Sequence, residues 1–140
     1  MERWMFFATG SMFFAGVTAV LAKAGLAGIT SELGLVVRTL FVCLFIALFG
    51  LWTLRPSDFV ALTLPNLLWL GASALATAAS WVCYYAALHV GDVATVALID
   101  KGSVLVAILL AWIFLDEPIT WRTAIAAALI VAGLLVLLRR

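Results

Sequence analysis

The fourth apolar segment of the chain carries the residues best placed for chemistry. If a helix starts near Val93, Asp100 and Lys101 lie about 10 Å along its axis, at about 1.5 Å per residue. Charges at that depth in a membrane are costly and normally face a cavity or a partner. Asp100 is therefore a candidate site for a cation or a proton. Its helix face follows a 4-4-3-4 spacing: Asp92, Val96, Asp100, Ser103 and Ala107.

The charges of this segment also allow a structural interpretation. Asp100 could form a buried ion pair with Arg38 of the second apolar segment, and the sequence favours neither account over the other. Lys101 is turned about 100° from Asp100, so we expect no pairing between these two neighbours. Thr95 lies at the edge of the Asp100 face, and Gly102 permits close approach of another backbone or of a substrate.

The third apolar segment carries a more regular polar stripe. Small and hydroxylated side chains recur there at helical spacing, which close helix packing also favours, and packing is the preferred account of Ser73, Thr77 and Ser80. Trp81 and Tyr84 are better candidates for a pocket wall, because an apolar ring with a polar tip suits an amphipathic ligand.

Motifs for catalysis are missing from the sequence. No GxxxxGK[ST] loop is present, so ATP hydrolysis by a P-loop is excluded. Cys43 and Cys83 fall in apolar segments and are interpreted as small apolar residues, and His89 is the only histidine. We therefore predict neither an enzyme nor a bound cofactor or metal.

The elements that position these residues follow from composition. Of the 140 residues, 67% are hydrophobic and 11% are charged, against about 25% charged in a soluble domain. The net charge of +1 indicates no nucleic-acid partner. A membrane-crossing helix needs roughly 20 mostly apolar residues. The sequence thus predicts an all-α integral membrane bundle, one domain over residues 1–140, with five transmembrane helices at about 4–22, 35–54, 66–88, 93–115 and 123–138.

Tryptophans and positive charges bear on orientation. With five spans, one membrane face receives the interfacial tryptophans Trp4, Trp52, Trp69, Trp112 and Trp121. That face carries Arg3, Arg55 and Arg122, while the other carries Lys23, Arg139 and Arg140, with Arg38 just inside the second span. This near-even split gives almost no positive-inside bias. Either one orientation is fixed by folding or by the first span, or the chain inserts both ways and opposed copies pair as an inverted repeat.

Several stretches together resemble the EamA-type domain of the drug/metabolite transporter superfamily, in its five-span bacterial and archaeal branch. They are the run from Gly91 to Leu105, the turn from Leu115 to Trp121, and the early stretch from Gly16 to Gly25 followed by Arg38–Thr39. Asp116 stands where that family usually has glycine. Ala97–Leu98 stands where proline is common, so no proline-broken helix is expected.

The resemblance implies a secondary transporter, working as an exporter of small metabolites or drugs in the cytoplasmic (inner) membrane of a bacterium or archaeon. Longer relatives have ten spans in two inverted repeats, so this chain would equal one repeat and act as an antiparallel homodimer. The implied partners are a small-molecule substrate, membrane lipid and a second copy. By position, the implied cavity residues are Thr18, Trp81, Tyr84, Asp100 and Ser103, with Thr95 at the margin. Lys101 and Arg38 complete the candidate substrate and coupling residues.

Two alternatives remain at this point. A small multidrug resistance-type exporter would have four spans and an acidic residue in the first, which this sequence lacks. A non-transporting membrane scaffold or accessory subunit would share the hydrophobicity but would not depend on Asp100.

Overall fold

A computed structural model describes residues 3–139 and contains helices without strands over that range. The helices are α1 (Arg3–Gly25), α2 (Ser31–Thr53), α3 (Leu64–Val90), α4 (Val93–Asp100), α5 (Ser103–Phe114) and α6 (Trp121–Leu138), with a 3₁₀ helix at Pro56–Ala61. Five stretches are long and apolar enough to cross a membrane, α4 and α5 together forming the fourth. The five-span, all-α prediction is therefore confirmed. Arg140, counted above at the second face, lies outside the described residues.

Side-chain caps explain where three helices begin. The Thr30 hydroxyl accepts a hydrogen bond from the Leu33 amide at 3.3 Å at the start of α2. The Asp92 carboxylate accepts from the Thr95 amide at 2.8 Å before α4, and Thr120 accepts from Thr123 at 3.2 Å before α6. Each cap satisfies an amide that the helix itself leaves without a partner.

The turn after α5 requires an unusual backbone. Asp116 has φ of 53°, and in the described chain it is the one residue other than glycine with positive φ. The chain turns there so that the Glu117 amide donates to the Ala111 carbonyl at 3.3 Å. Glycine adopts this conformation without steric cost, and Asp tolerates it better than most residues. The position at which the sequence departs from the family's glycine thus keeps a glycine-like backbone.

The chain divides into two compact units. One spans Leu21–Val90 and contains the packed pair α2 and α3; the other combines the chain up to Val20 with the chain from Gly91 onward and contains the contact of α4 with α6. Few side chains are buried within them, and the buried apolar residues among those described are Ala19, Leu26, Tyr85 and Leu88. Most large apolar side chains are exposed, as expected for helices whose outer surfaces face lipid.

The five tryptophans assigned to the interface lie near helix ends. Each is within about two turns of a helix terminus, and their exposed fractions range from 54% to 86%. An indole at such a position can place its ring in the headgroup region and its N–H toward water.

Candidate functional site

The candidate site residues of the unit Leu21–Val90 gather around Arg38. The guanidinium carbon of Arg38 lies 4.4 Å from the ring centroid of Trp81 and 5.9 Å from that of Tyr85. Both distances are within the range of a cation–π interaction. Two residues selected independently from the sequence, Arg38 and Trp81, therefore lie in direct contact.

Trp81 also lines a groove between α2 and α3. The groove has a volume of about 510 Å³. Its walls are mostly apolar and include two members of the predicted polar stripe of α3, Ser73 and Thr77. The Thr77 hydroxyl donates to the carbonyl of Ser73 at 2.9 Å, so its proton is used within its own helix. A groove of this size falls in the range of small-molecule sites.

Tyr84 and Tyr85 lie at the Arg38 end of α3. Their ring centroids are 6.4 Å apart, with an edge-to-face arrangement. Tyr84 is partly exposed, whereas Tyr85 is buried at 3% exposure. Tyr85 was not selected from the sequence. Its spacing of four residues from Trp81 places both rings on one face of α3, and that spacing would have identified it.

The fourth span is interrupted at the charged pair. Lys101 and Gly102 join α4 to α5 through hydrogen bonds of the tighter i to i+3 type, as from the Gly102 amide to the Ile99 carbonyl at 2.9 Å. The regular α-helical hydrogen bonding of the span is therefore interrupted without proline. Such a tightened turn inside a helix often marks a functional hinge or strain.

The prediction that Lys101 would not pair with Asp100 is wrong. The Lys101 Nζ lies 3.6 Å from the Asp100 Oδ2. The side chains are exposed by 56% and 39%, and a long flexible lysine can reach around the helix where the regular turn is interrupted. In the described residues, this is the ion pair that Asp100 makes, and Arg38 contacts aromatic rings.

The remaining candidates lie in the other unit. Thr95 contributes its backbone amide to the Asp92 cap, and Ser103 is the first residue of α5. The Thr18 hydroxyl donates to the carbonyl of Phe14 at 2.8 Å, within α1. None of these three is buried. The structure therefore places Arg38, Trp81 and Tyr84 in one unit and the other five candidates in the second unit.

Comparisons with known proteins decide the class. The sequence profile of the EamA-like transporter family matches residues 2–139. The chain belongs to the EamA-like transporter family. A protein of Sinorhizobium sp, named "Uncharacterized transporter in cobO 3'region", is 38% identical over 142 residues, covering 97% of this chain and 96% of that protein. No solved structure matches the chain.

Family membership confirms the resemblance found in the motifs, and five spans in place of four do not fit the small multidrug resistance alternative. A multi-pass membrane transporter requires polar groups along a path through apolar helices. The candidate residues lie in the first four spans: Thr18 in α1, Arg38 in α2, Trp81 and Tyr84 in α3, and Thr95, Asp100, Lys101 and Ser103 in the fourth span.

Proposed function

We propose that this chain is a secondary transporter that exports small metabolites or drugs, and that two copies in opposite membrane orientations form the working unit. The observation that carries the proposal is the near-even split of positive charge when the spans alternate: three basic residues lie outside the predicted spans at each face, and Arg38 lies just inside the second span. Without a bias, neither orientation is favoured on insertion.

The extent of exposed apolar surface supports a paired assembly. A substrate path through a membrane must be enclosed on all sides, and the described helices bury few side chains against one another. Many transporters meet this requirement with two inverted repeats around a site near the midplane. Two opposed copies of a five-span chain supply the same arrangement.

Orientation can be tested directly. Reporters that are active on only one side of the membrane are fused to the C-terminus, and accessible single cysteines are introduced near Arg55 and Lys23 after replacing Cys43 and Cys83, which are exposed and free. The proposal expects labelling from both sides at every site, and crosslinks between opposed copies. A single orientation with a monomeric or parallel assembly contradicts it.

We propose that Asp100 takes part in transport by binding the substrate or a coupling ion, and that it has no catalytic role. Its position at the interrupted turn of the fourth span, partly exposed and beside a flexible lysine, supports this role. An Asp100→Asn substitution should reduce uptake into inside-out vesicles by about 10- to 100-fold, since a hydrogen bond to a charged group contributes about 1.5–3 kcal/mol.

The control is Asp58→Asn, which removes an acid that instead accepts from the Arg55 amide at 2.8 Å outside the spans. Transport should persist in that variant. An Asp100→Asn protein made at normal levels and transporting normally would favour the scaffold alternative. We further propose that the protein lies in the cytoplasmic membrane of a bacterium, which five helical spans and a relative from Sinorhizobium support. Vesicles of both orientations also establish the direction of transport.

A further inference from the structure

The charge of Arg38 has no acidic partner in its own unit. The acids of Leu21–Val90 are Glu32, in the first turn of α2, and Asp58, which caps the Arg55 amide. The structure gives neither of them an ion pair with Arg38. Trp81 and Tyr85 stabilise the cation through their ring faces, but aromatic faces do not replace the acceptors that water would provide.

One end of the guanidinium lacks a hydrogen-bond acceptor. The Nη1 atom of Arg38 is buried and has no partner among the described residues. A buried donor without an acceptor costs free energy, more so when it is charged. The residue as a whole is only partly buried, so part of its side chain is open to a ligand.

An apolar groove adjoins this cation. Trp81, the ring nearest to the guanidinium, is also a wall of the groove between α2 and α3, and the neighbours of Arg38 in α2, Leu35 and Thr39, line the same groove. The Thr39 hydroxyl donates to the carbonyl of Leu35 at 2.8 Å. The groove therefore offers mostly hydrocarbon along its length, and the positive charge of Arg38, which is not itself a lining residue, lies against the Trp81 ring at one end.

We infer that Arg38 and the α2–α3 groove bind an amphipathic organic anion, with its carboxylate or phosphate on the guanidinium and its apolar body along the groove toward Leu70. Arginine matches the planar geometry of carboxylate and phosphate, and can stack on an aromatic ring while it does so. An organic cation would meet an uncompensated positive charge here. This inference rests on the proposed transport function, for which it names the charge class of the substrate.

A matched set of ligands tests the charge preference without any mutation. Purified protein in a neutral detergent is titrated with 4-phenylbutyrate, 4-phenylbutyramide and 4-phenylbutylamine, which share an apolar body and differ in charge. The anion should bind about 10- to 100-fold more tightly than the amide, and the amine should bind no better than the amide. Equal affinity for the three ligands, or preference for the amine, overturns the inference.

Substitutions then assign the preference to Arg38. Arg38→Gln should remove the advantage of the anion over the amide while amide binding persists, and Arg38→Lys should keep part of it because the charge remains without the planar fork. Arg55→Gln, in the same unit but outside the spans, is the matched control and should bind as the wild type does. Should Arg38→Gln fail to fold, the Arg38→Lys measurement still decides, because unchanged affinity there contradicts bidentate binding.

Two sources could supply such an anion, and lipid composition distinguishes them. If a membrane phospholipid fills the groove, nanodiscs of phosphatidylglycerol should weaken 4-phenylbutyrate binding relative to phosphatidylcholine, and Arg38→Gln should abolish that difference. If the anion is a soluble metabolite, the two membranes give equal affinity. Transport without anion preference would overturn this inference alone, whereas anion binding without transport of any substrate would overturn the proposed function alone.

Discussion

Lys23 should stabilise the unit Leu21–Val90 more than its place at the end of α1 suggests. Its ammonium donates to the carbonyl of Leu88, and to that of His89 at 3.3 Å. These carbonyls belong to the last turn of α3, where the helix leaves acceptors without partners and carries partial negative charge. We therefore expect Lys23→Met to destabilise the fold.

The magnitude follows from two contributions. A hydrogen bond from a charged donor contributes about 1.5–3 kcal/mol, and a cation at a helix C-terminus about 0.3–1 kcal/mol. The contact with Leu88 is partly buried and that with His89 is exposed, so most of the effect comes from the first. A loss of about 2–3 kcal/mol in the free energy of unfolding is expected for Lys23→Met.

Lys101→Met provides the matched control. That lysine forms an ion pair with Asp100 at 3.6 Å, with both side chains substantially exposed. Pairs of this kind contribute about 0–1 kcal/mol. Unfolding by a denaturing detergent in mixed micelles, followed by helical circular dichroism, measures both variants. Equal losses for the two lysines, or a Lys23→Met protein as stable as the wild type, would refute the reasoning, while Lys23→Arg should recover most of the stability.

Two further substitutions test the backbone. Asp116 has φ of 53°, which glycine adopts without steric cost and alanine does not. The Asp116→Gly variant should therefore be more stable than Asp116→Ala by about 1 kcal/mol in thermal unfolding in detergent. The opposite order of the two variants would contradict the turn geometry. At Gly102, a Cβ would lie 3.0 Å from the Ile99 carbonyl oxygen and 3.2 Å from a Leu134 methyl, so Gly102→Val should cost about 1–3 kcal/mol. Gly133→Val is the control, because a Cβ at Gly133 would meet open space. A similar loss of stability in the two variants would show that crowding at Gly102 is not the cause.

Span number and turn positions could be predicted from the sequence because their causes are local. A run of about 20 apolar residues admits only a helix in lipid, and the fourth span begins at Val93 as predicted. The second helix begins at Ser31, about four residues before its predicted start, with Thr30 as its cap. The positive φ of Asp116 was not predicted, although the family's glycine at that position is consistent with it. These features depend on a few consecutive residues and on the solvent.

Side-chain partners were harder to predict because they depend on which helix faces meet. Arg38 and Asp100 were considered as a pair on charge alone, whereas the structure places Arg38 against Trp81 and Tyr85 and gives Asp100 its sequence neighbour. Tyr85 has the helical spacing of a partner for Trp81, but nothing in one sequence specifies that α2 lies against that face. The turn at Lys101 also departs from regular α-helical geometry. That regular geometry was the basis for predicting that Lys101 and Asp100 would not pair.

We propose that the candidate residues of the two units have different roles in the transport cycle. Arg38 lies on a packed helix pair beside an apolar groove, which suits binding and selection of a substrate body. Asp100 and Lys101 lie at a turn with hydrogen bonds of the i to i+3 type, which suits a position whose geometry changes during transport. On this argument, substitutions at Arg38 should alter which molecules are accepted, whereas substitutions at Asp100 should alter the coupling and rate for every molecule accepted.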